Sequence, residues 1–334
     1  MNKGQLPTAK ASRCHPSGLE PPWPPDDGQF RILLKFPWGE VTERYDDGII
    51  VSTEFSHANA NALFCWWAPT KDLLYFDGIK AWACEEPFEA AGSMRNNPHW
   101  TQLTDFLRKE ECFHHYQDTD ALQIFSVIHH GSSKLSVRHD LARRQKAVSI
   151  ISNAGRLGRR GFDVRLRLRF AVAPGVDLYG SASTWNRFRQ FPWSRPRPPQ
   201  TYRGECPGYW GSDAKLDLMA GYKVAICLEN SCESNYFTEK FVDAVRAGCI
   251  PIYRAHPSNA SGILKAAKWV DPSHFGFSVQ RTLDFALEQN CSEYQEVNEA
   301  WLKSTAVRER SFPVMLEKVC KTLRHRWACQ RKGG

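Results

Sequence analysis

Residues 222–253 leave this chain little freedom in how it can fold. "YKVAICLE" (222–229) is a continuous apolar run of strand length. "TEKFVDAVRAG" (238–248) has the apolar spacing of a helix, and "CIPIY" (249–253) is a second apolar strand. Thr238 is placed to cap the helix at its start and Gly248 to stop it. Strand, helix, strand in that order makes a parallel pair with a right-handed crossover, so the fold class is α/β. Ligands of such sheets sit outside the carboxyl ends of the strands. The segment "ENSCESNYFTEK" (229–240) falls at that place.

The polar loading of that segment exceeds what a turn needs. A helix N-terminus presents unpaired N–H groups and a partial positive charge, which together favour phosphate. Lys240 on the first turn is unfavourable against that dipole, and an anionic ligand would offset it. Glu239 is an acceptor suited to ribose hydroxyls. Glu229 and Asn230 leave the strand toward the same crevice, and Tyr236 offers a flat face and a hydroxyl. Read from the residues alone, a helix cap with solvent-facing charges is an equal alternative.

The rest of the chain supplies a setting. Its 334 residues suffice for two ordinary domains, and 42% hydrophobic with 24% charged residues excludes a disordered or membrane-spanning chain. Apolar runs at "RILLKF", "GIIVST", "ALFCWWA", "LLYFDGIKAWAC" and "ALQIFSVIH" read as strands, with a helix over 99–108. A second set begins at "KAVSIISN" (146–153) and continues through 158–172, whose first part reads as a helix although alternation over 163–170 also fits a strand. "GVDLYG" (175–180) is a further strand. The Pro-rich stretch 190–211 reads as a long loop. The spacing of Leu316, Val319, Cys320, Leu323 and Trp327 predicts a helix over 312–329. Packing on the body of the protein is the first expectation for that helix. A basic helix lying on a membrane surface is the alternative. The division expected is a flexible polar leader (1–28), an N-terminal α/β domain (29–145), a C-terminal α/β domain (146–310) and a basic C-terminal helix or tail (311–334).

Charge and cysteine usage narrow the partners. The balance of 44 basic and 36 acidic residues gives 44 − 36 = +8, which favours anionic ligands. No nucleic-acid module accompanies it, so nucleic acid is not an expected partner. Eleven cysteines with no CxxC spacing argue against a zinc ribbon or a thioredoxin-type site. With no stretch of 18 apolar residues and no signal-peptide core, the expectation is free thiols in the cytoplasm or at a membrane surface. A Golgi-lumen location would follow only if an N-terminal anchor were missing from this chain. The sequons at Asn259 and Asn290 are then chance matches.

"YKVAICLENSCESNYFTEKFVDAVRAGCIPIY" resembles the signature of the family-10 glycosyltransferases, the α1,3/4-fucosyltransferases. The shared elements are E-N-S, Y-x-T-E-K and A-G-x-I-P-I-Y at the family's spacing. Leu228, Asn235 and Phe237 depart from the usual residues, and "RAHPS" (254–258) replaces a segment that often reads W-G-x-P or L-G-x-P. "KAVSIISNAGRLGRRGF" is similar to the family's V-S-N strand followed by an Arg-bearing helix, which places the diphosphate arginine at Arg159, with Arg160 its rival. "IKAWACEEPFEA" occupies the place of the family's catalytic Glu, and Glu85 fits best, then Glu86, then Glu89.

The resemblance implies a GT-B fold, two facing Rossmann-like domains with a C-terminal helix, the N-terminal domain (29–145) binding the acceptor and the C-terminal one (146–310) the nucleotide sugar. It implies inverting transfer of L-fucose from GDP-fucose to a glycan hydroxyl, in an α1,3 or α1,4 linkage. Arg159, Asn230, Tyr236, Glu239 and Lys240 would bind the donor, with Glu229, Arg254 and His256 as donor-sugar contacts. Glu85 (alternatively Glu86) would be the general base. No cofactor is essential on this reading, and a divalent metal is at most stimulatory. The alternatives are a GT-B transferase using another nucleotide sugar, or a non-catalytic glycan-binding protein with a decayed site. "DTD" (118–120) matches a metal-binding tripeptide of another glycosyltransferase fold, and Cys112, His114, His115, His129 and His130 are metal-ligand types. Neither set has the flanking pattern a metal site needs, so no metal site is expected.

Overall fold

A computed structural model of the chain describes residues 28–36, 40–66, 72–84, 113–115, 136–139, 144–152, 161–188, 195–208, 212–234 and 236–332. The described strands form two sheets. The first has the order β2-β3-β1-β4-β5-β6, from β1 (Phe30–Lys35), β2 (Thr42–Tyr45), β3 (Ile49–Ser52), β4 (Ala62–Trp66), β5 (Ile79–Cys84) and β6 (Phe113–His115). All its pairings are parallel except β2 with β3 at the edge. Strands β1, β3, β4 and β5 are largely buried on both faces and read as apolar runs rather than alternating ones, as parallel sheets require. In "LLYFDGIKAWAC", expected to be strand throughout, the first residues instead belong to a short helix, α1 (Asp72–Tyr75), and only Ile79–Cys84 is β5. Residues 99–108 and 121–129, expected to be helix and strand, lie outside the described residues, as do 1–27.

The second sheet is wholly parallel, in the order β11-β10-β7-β8-β9. Its strands are β7 (Arg144–Ile150), β8 (Val176–Tyr179), β9 (Tyr202–Gly204), β10 (Tyr222–Ile226) and β11 (Ile250–Ile252). Chain order reverses between β7 and β10, which makes that crevice the topological switch point. The strand reading of 163–170 fails: α2 (Phe162–Ala171) is a helix that buries Leu166 and Phe170 against one sheet face. The Pro-rich stretch was expected to hold no strand, yet β9 pairs with the edge of β8. Tyr202, Arg203 and Gly204 follow the prolines, and an edge strand needs backbone partners on one side only.

Helices cover both faces of this sheet. After α3 (Ala182–Trp185) come α4 (Asp213–Ala220), α5 (Glu239–Arg246), the short α6 (Pro257–Ser261), α7 (Val279–Glu288), α8 (Cys291–Leu302) and α9 (Thr305–Arg308). Thr238 caps α5, its side chain accepting from the Lys240 N–H, and Gly248 ends it at φ 71°, as the sequence predicts. Beneath the start of α5, Phe241 packs edge-on against Tyr253 and Trp301, with ring centroids 5.1 and 5.2 Å apart. The Trp301 indole donates to the Ile263 carbonyl at 2.6 Å. This aromatic cluster fixes the helix whose N-terminus faces the switch point.

The last helix, α10 (Phe312–Lys332), returns to the first sheet. Met315, Leu316, Val319, Cys320 and Leu323 pack on Phe30, Ile32, Val51 and Phe64 in one cluster. The apolar stripe that a membrane-surface helix would need is therefore occupied by the sheet. Among the described residues no helix is long and apolar enough to cross a membrane. Leu323 is fully buried, and Leu323→Ala is expected to destabilise the protein by about 2–5 kcal/mol through transfer loss and cavity formation. Chemical denaturation measures it.

Candidate functional site

The apolar run of β10 ends at Ile226, and the chain then leaves the sheet carrying Glu229. Glu229 turns inward and is only 4% exposed. Its Oε1 accepts the Thr238 backbone N–H at 2.9 Å and the Thr238 hydroxyl at 2.7 Å. Its Oε2 meets Lys240 Nζ at 2.8 Å, and Lys240 Nζ also donates to Thr238 Oγ1 at 2.9 Å. Glu229 is thus a buried anion at the positive end of α5, where dipole and ammonium both favour it. It anchors the lysine rather than lying open to a sugar. Glu239 is the first residue of α5, with its Oε1 3.9 Å from Lys240 Nζ.

The second cation comes from α2. Arg167 is 8% exposed. Its Nη2 donates to the Ile150 carbonyl at the end of β7 at 3.0 Å, and its Nη1 to Asn230 Oδ1 beyond β10 at 2.6 Å. One guanidinium therefore bridges the carboxyl ends of the two strands that flank the switch point. Burial pushes its pKa down and Glu229 leads the groups that oppose this; an arginine stays charged throughout. The family resemblance points to Arg159 for such a cation and not to Arg167. A signal was present: Arg167 lies three residues from both Val164 and Phe170, inside the apolar stripe of its own helix, where a charge has no place unless it has partners.

The remaining expected residues take varied places. Tyr236 is 5% exposed, so its ring is core rather than a displayed face, and its carbonyl accepts from Asn259 Nδ2 at 2.6 Å. Arg254 forms an ion pair with Asp163. His256 caps α6, its Nδ1 accepting from the Ser258 N–H at 3.2 Å. Asp163, Leu166, Leu228, Glu229, Ser231, Cys232 and Arg254 line a shallow recess beside these groups. Burial pushes the Cys232 thiol up to about 11, so it is protonated and unreactive at neutral pH.

Glu85, Glu86, Glu89, Arg159, Arg160 and Asn235 lie outside the described residues, as do Cys112, the 118–120 tripeptide, His129 and His130. Among the described residues no cluster of His, Cys, Asp or Glu could hold a metal ion. The site as described joins two cations and a helix N-terminus at one switch point, with the Glu239 carboxylate beside them. That combination suits an anionic ligand bearing hydroxyl groups.

The model of glycosyltransferase family 10 (fucosyltransferase), C-terminal part, matches residues 142–332. A curated relative, GDP-fucose protein O-fucosyltransferase 3 of Bos taurus, is 27% identical over 154 residues, covering 42% of this chain and 28% of the relative. The match thus spans under a third of that protein's length. Among solved structures, an α1,3-fucosyltransferase with GDP-fucose aligns over 96% of this chain and 93% of its own at 14% identity and TM-score 0.39. An α-glucosyltransferase in complex with UDP and DNA aligns over 79% of each chain at 12% identity and TM-score 0.46.

Proposed function

The chain belongs to glycosyltransferase family 10, the fucosyltransferases, and from that premise we propose that it transfers L-fucose from GDP-fucose to a glycan hydroxyl, with inversion and in an α1,3 or α1,4 linkage. The observation that carries the reading is the pair of cations, Arg167 and Lys240, held at the carboxyl ends of β7 and β10 beside the α5 N-terminus. Arg167 is itself buried and held by two strand-end acceptors, and Lys240 is held by buried Glu229, so both stabilise charge on a leaving diphosphate without reorganising. They supply charge that a divalent ion supplies in other transferases, and an added divalent ion is at most stimulatory. Arg159 adds to this charge. Glu239 holds the ribose, and Glu85 takes the acceptor proton on the face opposite the leaving group.

A second reading concerns the acceptor alone. The Bos taurus relative is named as a protein O-fucosyltransferase, which favours a protein hydroxyl over a glycan one. Radiolabelled GDP-fucose offered with a glycan panel and a folded-protein panel separates the two, with products located by mass spectrometry. Turnover only with another nucleotide sugar would overturn the fucosyl assignment. Glu85→Gln is expected to lower turnover about 100-fold while leaving GDP affinity intact. Normal turnover in that variant would move the base to Glu86 or elsewhere.

A further inference from the structure

Two ties grip the same loop from the same face of α2. Asp163 and Arg167 are four residues apart, so they lie on one side of the helix and about 6 Å apart along its axis. Asp163 Oδ2 accepts the Cys232 N–H at 3.0 Å, and Arg167 holds Asn230, two residues earlier on that loop. The other oxygen of Asp163 is bound by Arg254, from the segment after β11. The Arg254 guanidinium lies 5.2 Å from the Phe162 ring centroid and 5.4 Å from that of Phe277, and those two rings meet edge-to-face at 5.0 Å. Arg254 is thus confined by two aromatic faces and one carboxylate. It joins α2, the 230–232 loop and the segment after β11 at one point.

We infer that Asp163 and Arg254 are positioning residues: their ion pair sets the rotation of α2, and so the direction in which Arg167 presents its charge to the donor. The inference rests on the donor reading above and assigns Arg254 a role different from a sugar contact. An arginine alone would be a second anion site, but its charge is matched by Asp163, and Asp163 is in turn satisfied by a backbone N–H. The pair is electrically closed and acts through geometry. Leu166 and Phe170 seat α2 on the sheet, and two polar ties a turn apart fix its rotation more closely than the Arg167 tie does by itself.

The test uses Arg254→Met, which keeps an unbranched stem without charge, Asp163→Asn, which keeps the shape, and the double variant. Each single variant should weaken GDP binding about tenfold by calorimetry and raise the donor KM to match, with the acceptor KM unchanged. The double variant should be no worse than either single one, because the two residues act as a unit. Amide exchange over 228–234 should quicken in all three. GDP affinity equal to that of the parent protein would overturn the inference. So would a joint rise of donor and acceptor KM with a lowered melting temperature, which is the signature of a merely structural pair. If the parent protein binds no GDP, the donor reading is what fails. Exchange then decides the tie by itself: unchanged protection of 228–234 in Arg254→Met and Asp163→Asn overturns it.

Discussion

Arg167→Met is expected to lower fucosyl transfer by about 100-fold or more, the scale on which removal of one preorganised charge-stabilising donor acts. The substitution keeps the apolar stem inside the α2 stripe and deletes the charge at the switch point. It also leaves Asn230 Oδ1 and the Ile150 carbonyl without the donor that now serves them, so a stability loss of about 1–3 kcal/mol should accompany it. Arg167→Lys separates these effects. Lysine restores a charge, but a single ammonium on a flexible stem does not reproduce the planar fork that spans two strand ends. It should recover part of the transfer rate and little of the bridge. Initial rates of GDP release, read beside denaturation curves, check both variants.

Lys240→Met should have a comparable effect with a larger structural component. Glu229 is buried, and its Oε2 is held by Lys240 alone among the contacts described. Removing the ammonium strands a buried carboxylate, a loss of about 3–5 kcal/mol when one member of such a pair goes. A second substitution discriminates between fold and function. In Glu229→Gln/Lys240→Met the stranded charge is gone, and the amide oxygen can still accept from Thr238. Stability should return to within about 1 kcal/mol of the parent, while GDP binding stays lost. Recovery of both would make Lys240 a structural residue only.

Much of the second sheet was legible because its signals are local. The run from Tyr222 to Ile226, the Thr238 cap and the Gly248 stop each have one physical reading, and together they specify a strand–helix–strand unit. The motif ending in Thr238, Glu239 and Lys240 also pointed to the right end of the sheet. What the motif does not reveal is direction. Glu229 and Tyr236 look like displayed polar groups in the sequence, yet one faces inward to Lys240 and the other is core. Facing is decided by tertiary packing, here the cluster around Phe241, Tyr253 and Trp301, whose members are far apart in the chain. Arg167 is hidden in the sequence for a related reason. An arginine among three in "RLRLR" reads as surface charge, and only its register with Val164 and Phe170 betrays that it is buried. The partnership of Asp163 with Arg254 spans 91 positions and leaves no trace in either local sequence.

The central claim is that a guanosine diphosphate is held at the β7–β10 switch point by Arg167 and Lys240. Calorimetric titration of GDP and UDP into the parent protein and into Arg167→Met measures it most directly. The account predicts saturable binding of GDP and none of UDP by the parent, with the GDP signal lost in the variant. Equal GDP affinity in the parent and a folded Arg167→Met would contradict it.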